Sequence, residues 1–163
     1  GVMSMGQLLT YAGMLEGKEV AWLPSYGPEM RGGTANCSVC ISDEPVGSPL
    51  VLTPDILVVM NAPSYDKFIG SVAPGGLALI DSTLISSHCT RTDIQTAYVP
   101  ATRLAGENDL HGLANIILIG KMFAERQFVS KESIQKAIDK CVPPRKAHLI
   151  QANMRAIALG QDQ

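Results

Sequence analysis

The chain reads as an α/β protein, a three-layer α/β/α sandwich around a mainly parallel sheet, with a helical C-terminal third. Three observations predict it. Residues 55–60 (DILVVM) and 77–80 (LALI) are short, unbroken apolar runs, the pattern of strands buried on both faces of a parallel sheet. Helical patterns separate these runs, as βαβ units require. Beyond residue 110, apolar residues recur at helical spacing through three segments bounded by Pro, Ser and Gly.

Taken in order, Leu8, Leu9, Ala12 and Leu15 share one face of a helix over 4–16, with Gly17 placed to end it. Residues 19–23 (EVAWL) form a strand that ends at Pro24, and 25–33 form a loop. Residues 34–41 alternate as a strand, with Ala35, Cys37, Val39 and Ile41 on one side and Asn36, Ser38 and Cys40 on the other. Turn formers fill 42–54. Strand 55–60 follows, then a helix over 65–72 capped by Ser64, strand 77–80, a loop over 81–88, and a short strand 97–99 ending at Pro100. One long helix is predicted over 110–126. Ser130 caps a second to about residue 140, Pro143-Pro144 break it, and a third runs from 145 to 159 with Gly160 at the stop position.

The 163 residues suit one domain over 1–163 that buries roughly 70% of its unfolded surface. Only 17% of them are charged, against about 25% in an ordinary soluble domain. That charge-poor surface fits a subunit of an assembly, and equally a core-rich monomer. The net charge of −2 excludes a globally basic nucleic-acid binder. Residues 121–155 carry eight Lys/Arg against three acids, which reads as solvated helix surface. No apolar run is long enough to span a membrane and no signal peptide is visible, so a cytoplasmic location is expected.

Several chemical motifs fail on geometry. Cys37-Ser38-Val39-Cys40 is a C-x-x-C, but an offset of three on a strand sends the two thiols to opposite faces, and no second pair completes a zinc site. An NAD fold needs an acid at the end of its second strand, where Trp22-Leu23-Pro24-Ser25 has none. Asp109, His111 and Asn115 cluster near a helix start without a nucleophile, so a cap and a packed polar residue are the simpler roles. His88 reads as a loop residue and His148 as surface.

The segment 25–39 (SYGPEMRGGTANCSV) is the strongest candidate site. Pro28 fixes its own φ, and Gly27, Gly32 and Gly33 accept backbone shapes closed to other residues. Such a loop can present N–H groups and the Arg31 guanidinium to a phosphate or carboxylate. Ser25, Tyr26, Gly27, Pro28, Arg31, Gly32, Gly33 and Thr34 are therefore the candidate cofactor-binding or interface residues. In the alternative, Arg31 pairs with Glu29 or a partner's acid and only shapes the loop. With 61–64 and 81–83, this loop is expected to form a rim at the strands' carboxyl ends.

The same segment, with SDEPVGSP (42–49), VPAT (99–102) and ANIILIG (114–120), resembles the gamma subunits of 2-oxoacid:ferredoxin oxidoreductases, in their 2-oxoglutarate-type form. The resemblance covers essentially the whole chain. Family members typically begin with a strand and a Gly-Gly-Gln-Gly turn, and this sequence opens at the turn's last glycine. The resemblance implies a reaction in which a 2-oxoacid, coenzyme A and oxidised ferredoxin give acyl-CoA, CO2 and reduced ferredoxin. It places thiamine diphosphate, Mg²⁺ and iron–sulfur clusters in alpha, beta and, in some members, delta partner chains, with no cofactor or catalytic residue in this one. It leaves open whether the isolated chain forms a homodimer. Two alternatives stand beside it: a stand-alone nucleotide- or CoA-binding module, and an indolepyruvate-type oxidoreductase subunit. A self-sufficient Rossmann-like oxidoreductase is disfavoured by the missing ribose acid.

Overall fold

The computed structural model describes residues 2–25 and 36–163. Helix α1 (Val2–Leu15) buries Met5, Leu8 and Ala12. It ends where expected, at Gly17, whose φ of +76° lies in the left-handed region. Strands β1 (Glu19–Ser25) and β2 (Asn36–Ser42) then pair antiparallel, from Glu19 opposite Ser42 to Ser25 opposite Asn36.

This pair departs from the mainly parallel sheet. The segment joining the strands, 26–35, has ten residues, and a parallel crossover needs a dozen or more. An antiparallel return is the connection that length allows. The parallel sheet is a separate one of three strands, β3 (Ile56–Val59), β4 (Leu77–Asp81) and β5 (Gln95–Val99), in that spatial order. Ile56 sits opposite Leu77, and Leu77 opposite Gln95.

The central strand β4 is buried throughout, as its unbroken apolar run predicts. Its two faces feed different clusters. Ala78 and Ile80 pack with Val59, Tyr65 and Ile85 beneath α2 (Ala62–Phe68) and the 82–94 connection. On the opposite face Leu77 and Leu79 meet Ala97 and Met122, the latter from α4 (Ala114–Glu125). The largest cluster joins α1 to α3 (Ala101–Glu107), α4, α5 (Lys131–Cys141) and α6 (Leu149–Gln161) through Ile117, Leu118, Ile119, Ile138 and Ile157.

Four helix expectations change. Asn61, not Ser64, caps α2: Ser64 N–H donates to Asn61 Oδ1 at 2.9 Å. The helix expected over 110–126 is α4 and starts only at Ala114, after a turn in which Asp109 and Gly112 take φ of +56° and +80°; α3, before that turn, was not expected. Asp109 is thus a turn residue, not a cap. The third C-terminal helix starts at Leu149, after a 3-10 turn over Pro144–Lys146. Gly160 does not stop that helix. It lies within α6, where a Cβ would run into the carbonyl of Ile117, and a Cβ at Gly120 would meet that of Ile157. The two glycines let the backbones of α4 and α6 touch. Ser130 does cap α5, its Oγ accepting from Ser133 N–H at 3.1 Å. The Glu16 carboxylate adds a second bond to that corner, accepting from Ser130 N–H at 2.5 Å.

Candidate functional site

Of the candidate residues, Ser25 is the last residue of β1. Tyr26, Gly27, Pro28, Arg31, Gly32, Gly33 and Thr34 lie outside the described residues. What the structure places is the stem that carries them. Ser25 and Asn36 face each other across the ladder, and the stem rests on the first turns of α1. Cys37 Sγ–H donates to Val2 O at 3.3 Å. Burial pushes the Cys37 thiol above its ordinary range, opposed by the neighbouring Trp22 indole N–H. That indole nitrogen is buried and has no acceptor in hydrogen-bond geometry among the described residues.

The strand alternation expected over 34–41 holds for the two cysteines. Cys37 faces α1, while the Cys40 thiol points at the carbonyl of Ser48 on the 43–54 loop, 4.0 Å away. Ser38 Oγ on that second side accepts from Val51 N–H at 3.2 Å. The four cysteines are free thiols, and among the described residues no three His, Cys, Asp or Glu side chains converge as metal ligands.

The rim of the parallel sheet is built around a residue whose role the sequence did not announce. Asp81 closes β4 with no exposed surface. Its carboxylate accepts from Thr102 Oγ1–H at 2.6 Å, from Thr83 N–H at 3.1 Å and from Thr102 N–H at 3.4 Å. Thr83 Oγ1 in turn accepts from Arg103 N–H at 3.1 Å. One buried carboxylate thereby ties the 82–84 turn to the first turn of α3. The sequence placed 81–83 on the rim, but neither the burial of Asp81 nor its bond to Thr102, 21 residues further on, can be read from adjacent residues.

A second cluster lies on the α2 face. The Tyr65 hydroxyl is pushed up by burial and by Cys89 beside it. Cys89 N–H donates to Tyr98 Oη at 2.8 Å, and the His88 ring tilts against Tyr98 with centroids 5.6 Å apart. Arg91 pins the same connection, donating to both Asp93 carboxylate oxygens at 2.9 and 2.6 Å and to the carbonyls of Ile69 and Val72 at 3.1 and 2.8 Å. Asp93 is accordingly held below the usual carboxylate range.

The remaining candidates are dispersed. His111 and Asp109 are 3.6 Å apart and both exposed; Asn115 is buried at the start of α4; His148 is exposed just before α6. The basic excess over 121–155 is partly spent on neighbours, in the ion pairs Lys121–Glu125 at 2.8 Å and Lys136–Glu132 at 3.2 Å. Arg126 reaches Gln95 Oε1 at 3.0 Å, and Arg155 the carbonyl of Asn108 at 3.0 Å. Among the described residues, no helix is long and apolar enough to cross a membrane.

Similarity to known proteins follows the same chain. The ketoisovalerate oxidoreductase subunit VorA of Methanothermobacter thermautotrophicus is 41% identical over 163 residues, 99% of this chain but 34% of VorA. The chain thus spans about a third of the length of that relative. The 2-oxoglutarate synthase subunit KorC of Methanocaldococcus jannaschii is 40% identical over 146 residues, covering 88% of this chain and 78% of KorC. In three dimensions the chain superposes on the keto/oxoacid ferredoxin oxidoreductase gamma subunit of Geobacter sulfurreducens with a TM-score of 0.82 and 29% identity, covering 99% of this chain and 89% of that one. The sequence pattern of the pyruvate ferredoxin/flavodoxin oxidoreductase family matches residues 1–163, and the chain belongs to that family.

Proposed function

We propose that this chain serves as the gamma-type part of a 2-oxoacid:ferredoxin oxidoreductase. It would wall a site whose thiamine diphosphate, Mg²⁺ and iron–sulfur clusters are held by alpha, beta and delta-type partners. The observation that carries the reading is the family match over 1–163, with relatives at 40–41% identity that are named as oxidoreductase subunits. Co-purification tests it. The tagged chain is expected to bring down thiamine- and cluster-bearing chains, and recovery as an isolated monomer would favour a stand-alone CoA- or nucleotide-binding module instead.

For the substrate, 2-oxoglutarate is the first reading, supported by the form of the 25–39 segment and the similarity to KorC. A branched-chain 2-oxoacid is the second, favoured by the similarity to VorA. The loop over Ser25, Tyr26, Gly27, Pro28, Arg31, Gly32, Gly33 and Thr34 is assigned to the coenzyme A side of the site. Coenzyme A carries a diphosphate and a ribose phosphate, and a guanidinium among glycines meets such oxygens with paired hydrogen bonds. In the assembled complex, Arg31→Ala is expected to raise the KM for coenzyme A. An unchanged KM with intact assembly would remove the assignment.

A further inference from the structure

Most of the described Lys and Arg side chains are engaged by their own fold. Arg91 pairs with Asp93, Lys121 with Glu125 and Lys136 with Glu132, while Arg126 and Arg155 donate to neutral oxygens. Lys131, Lys140, Arg145 and Lys146 differ: among the described residues they form no ion pair and no side-chain hydrogen bond. Three of these four fall on one corner, where α5 ends and α6 begins. Lys140 lies in the last turn of α5, and Arg145 and Lys146 belong to the 3-10 turn between the helices. Residues 143–148 are exposed without exception. Pro143 and Pro144 restrict their own φ, and the bonds from Lys146 N–H to Pro143 O at 2.8 Å and from Ala147 N–H to Pro144 O at 3.2 Å close the turn. The cations therefore stand on backbone that is already ordered, and contact through them costs little chain entropy.

The surroundings limit what such a corner can meet. Asp139 is the one acid in the sequence between Glu132 and Asp162. The large apolar side chains exposed among the described residues, such as Leu50, Leu52 and Leu84, lie outside 131–163. Recognition here is thus electrostatic, and the complementary surface is acidic. The net charge of −2 argues against nucleic acid. An electron carrier has to dock within reach of a cluster, and the proposed function places the clusters in other chains.

We propose that Lys140, Arg145 and Lys146 form a docking corner for an acidic surface on another chain of the oxidoreductase, steering assembly by charge. The inference rests on the reading of this chain as one part of a multi-chain complex. Exposed complementary charges act mainly on the association rate. Salt removes their effect, as the Debye length falls from about 10 Å at 0.1 M to about 3 Å at 1 M.

The test follows association of the labelled full chain with the partner chains purified without it. Lys140 also complements the dipole at the end of α5, so the main variant, Arg145→Glu/Lys146→Glu, leaves it in place. At about 0.05 M salt this variant is expected to associate about tenfold more slowly than wild type, and at about 1 M salt within about twofold of it. Its melting temperature should stay within about 1 °C of wild type, since neither side chain touches the fold. Arg145→Gln/Lys146→Gln, which removes charge without reversing it, is expected to slow association less, and it decides the matter if the reversed variant does not fold. Lys131→Glu reverses an unpaired cation at the other end of α5, about 13 Å away along the axis, and is expected to leave the rate within about twofold. A wild-type rate at low salt in both double variants overturns the proposal, as does an equal loss in Lys131→Glu. Normal assembly with a raised KM for ferredoxin also overturns it, because the partner is then the electron acceptor. If the wild-type chain itself does not associate, the reading of it as a subunit fails and the docking corner fails with it.

Discussion

Replacing Asp81 by alanine removes the buried carboxylate that joins the 82–84 turn to α3, leaving the bond from Arg103 N–H to Thr83 Oγ1. The side chain has no exposed surface, and it satisfies one hydroxyl and two backbone N–H groups at 2.6, 3.1 and 3.4 Å. Hydrogen bonds to a charged group contribute about 1.5–3 kcal/mol, and a buried donor left without a partner costs about 1–3 kcal/mol. The 3.4 Å bond is weak, and Thr83 and Thr102 are exposed residues whose donors water can partly recover. The net loss for Asp81→Ala is then about 2–3 kcal/mol. At about 2–4 °C per kcal/mol for a chain of this size, the melting temperature should fall by about 5–10 °C. Thr102→Val, which breaks only the 2.6 Å bond, should cost about 1–1.5 kcal/mol. The double variant should lose less than the sum of the two, because both report on one interaction. Thermal and urea unfolding of the purified chain measure all three. A melting temperature for Asp81→Ala within about 1 °C of wild type, or strict additivity with Thr102→Val, would refute the assigned role.

Gly160→Ala forces a methyl group against the carbonyl of Ile117. Since both partners are backbone, α4 and α6 must separate, and urea unfolding should show a loss of about 2–4 kcal/mol; a neutral result would mean the helices do not touch there. The Glu16 carboxylate is held below its ordinary value of 4.5 by the N–H and hydroxyl of Ser130. A depressed carboxylate adds stability above its unfolded pKa and loses it as pH falls through the folded one. Glu16→Gln should therefore shift the urea midpoint at pH about 7 and progressively less below pH about 4. A gap that widens on acidification would contradict that sign.

What the sequence disclosed depended on whether the signal was local. The buried β4 strand, the Gly17 stop and the Ser130 cap each follow from a few adjacent residues, and each is found. Long-range partners were hidden. Gly160 reads as a helix stop because Gly commonly ends helices, and only the α4 crossing reveals the tertiary use of that residue. The antiparallel β1–β2 pair was readable from the ten residues between the strands, but alternation alone gives no direction. Helix α3 was concealed by Pro100, which marks both the end of β5 and the start of the helix. At the candidate site, the Cys37 and Cys40 alternation was legible and separates the two thiols as expected. The burial of Asp81 was not, since an acid at a strand's end ordinarily faces solvent and the partner that holds it lies 21 residues further on.

The most direct measurement is ferredoxin reduction by the complex reconstituted from its separate chains, with and without this one, across ketoisovalerate, 2-oxoglutarate and pyruvate. Coenzyme A-dependent turnover of a 2-oxoacid is expected, requiring this chain and highest with 2-oxoglutarate. Full activity from the partner chains alone would contradict the role as a required wall of the site, and highest activity with ketoisovalerate would replace the substrate assignment.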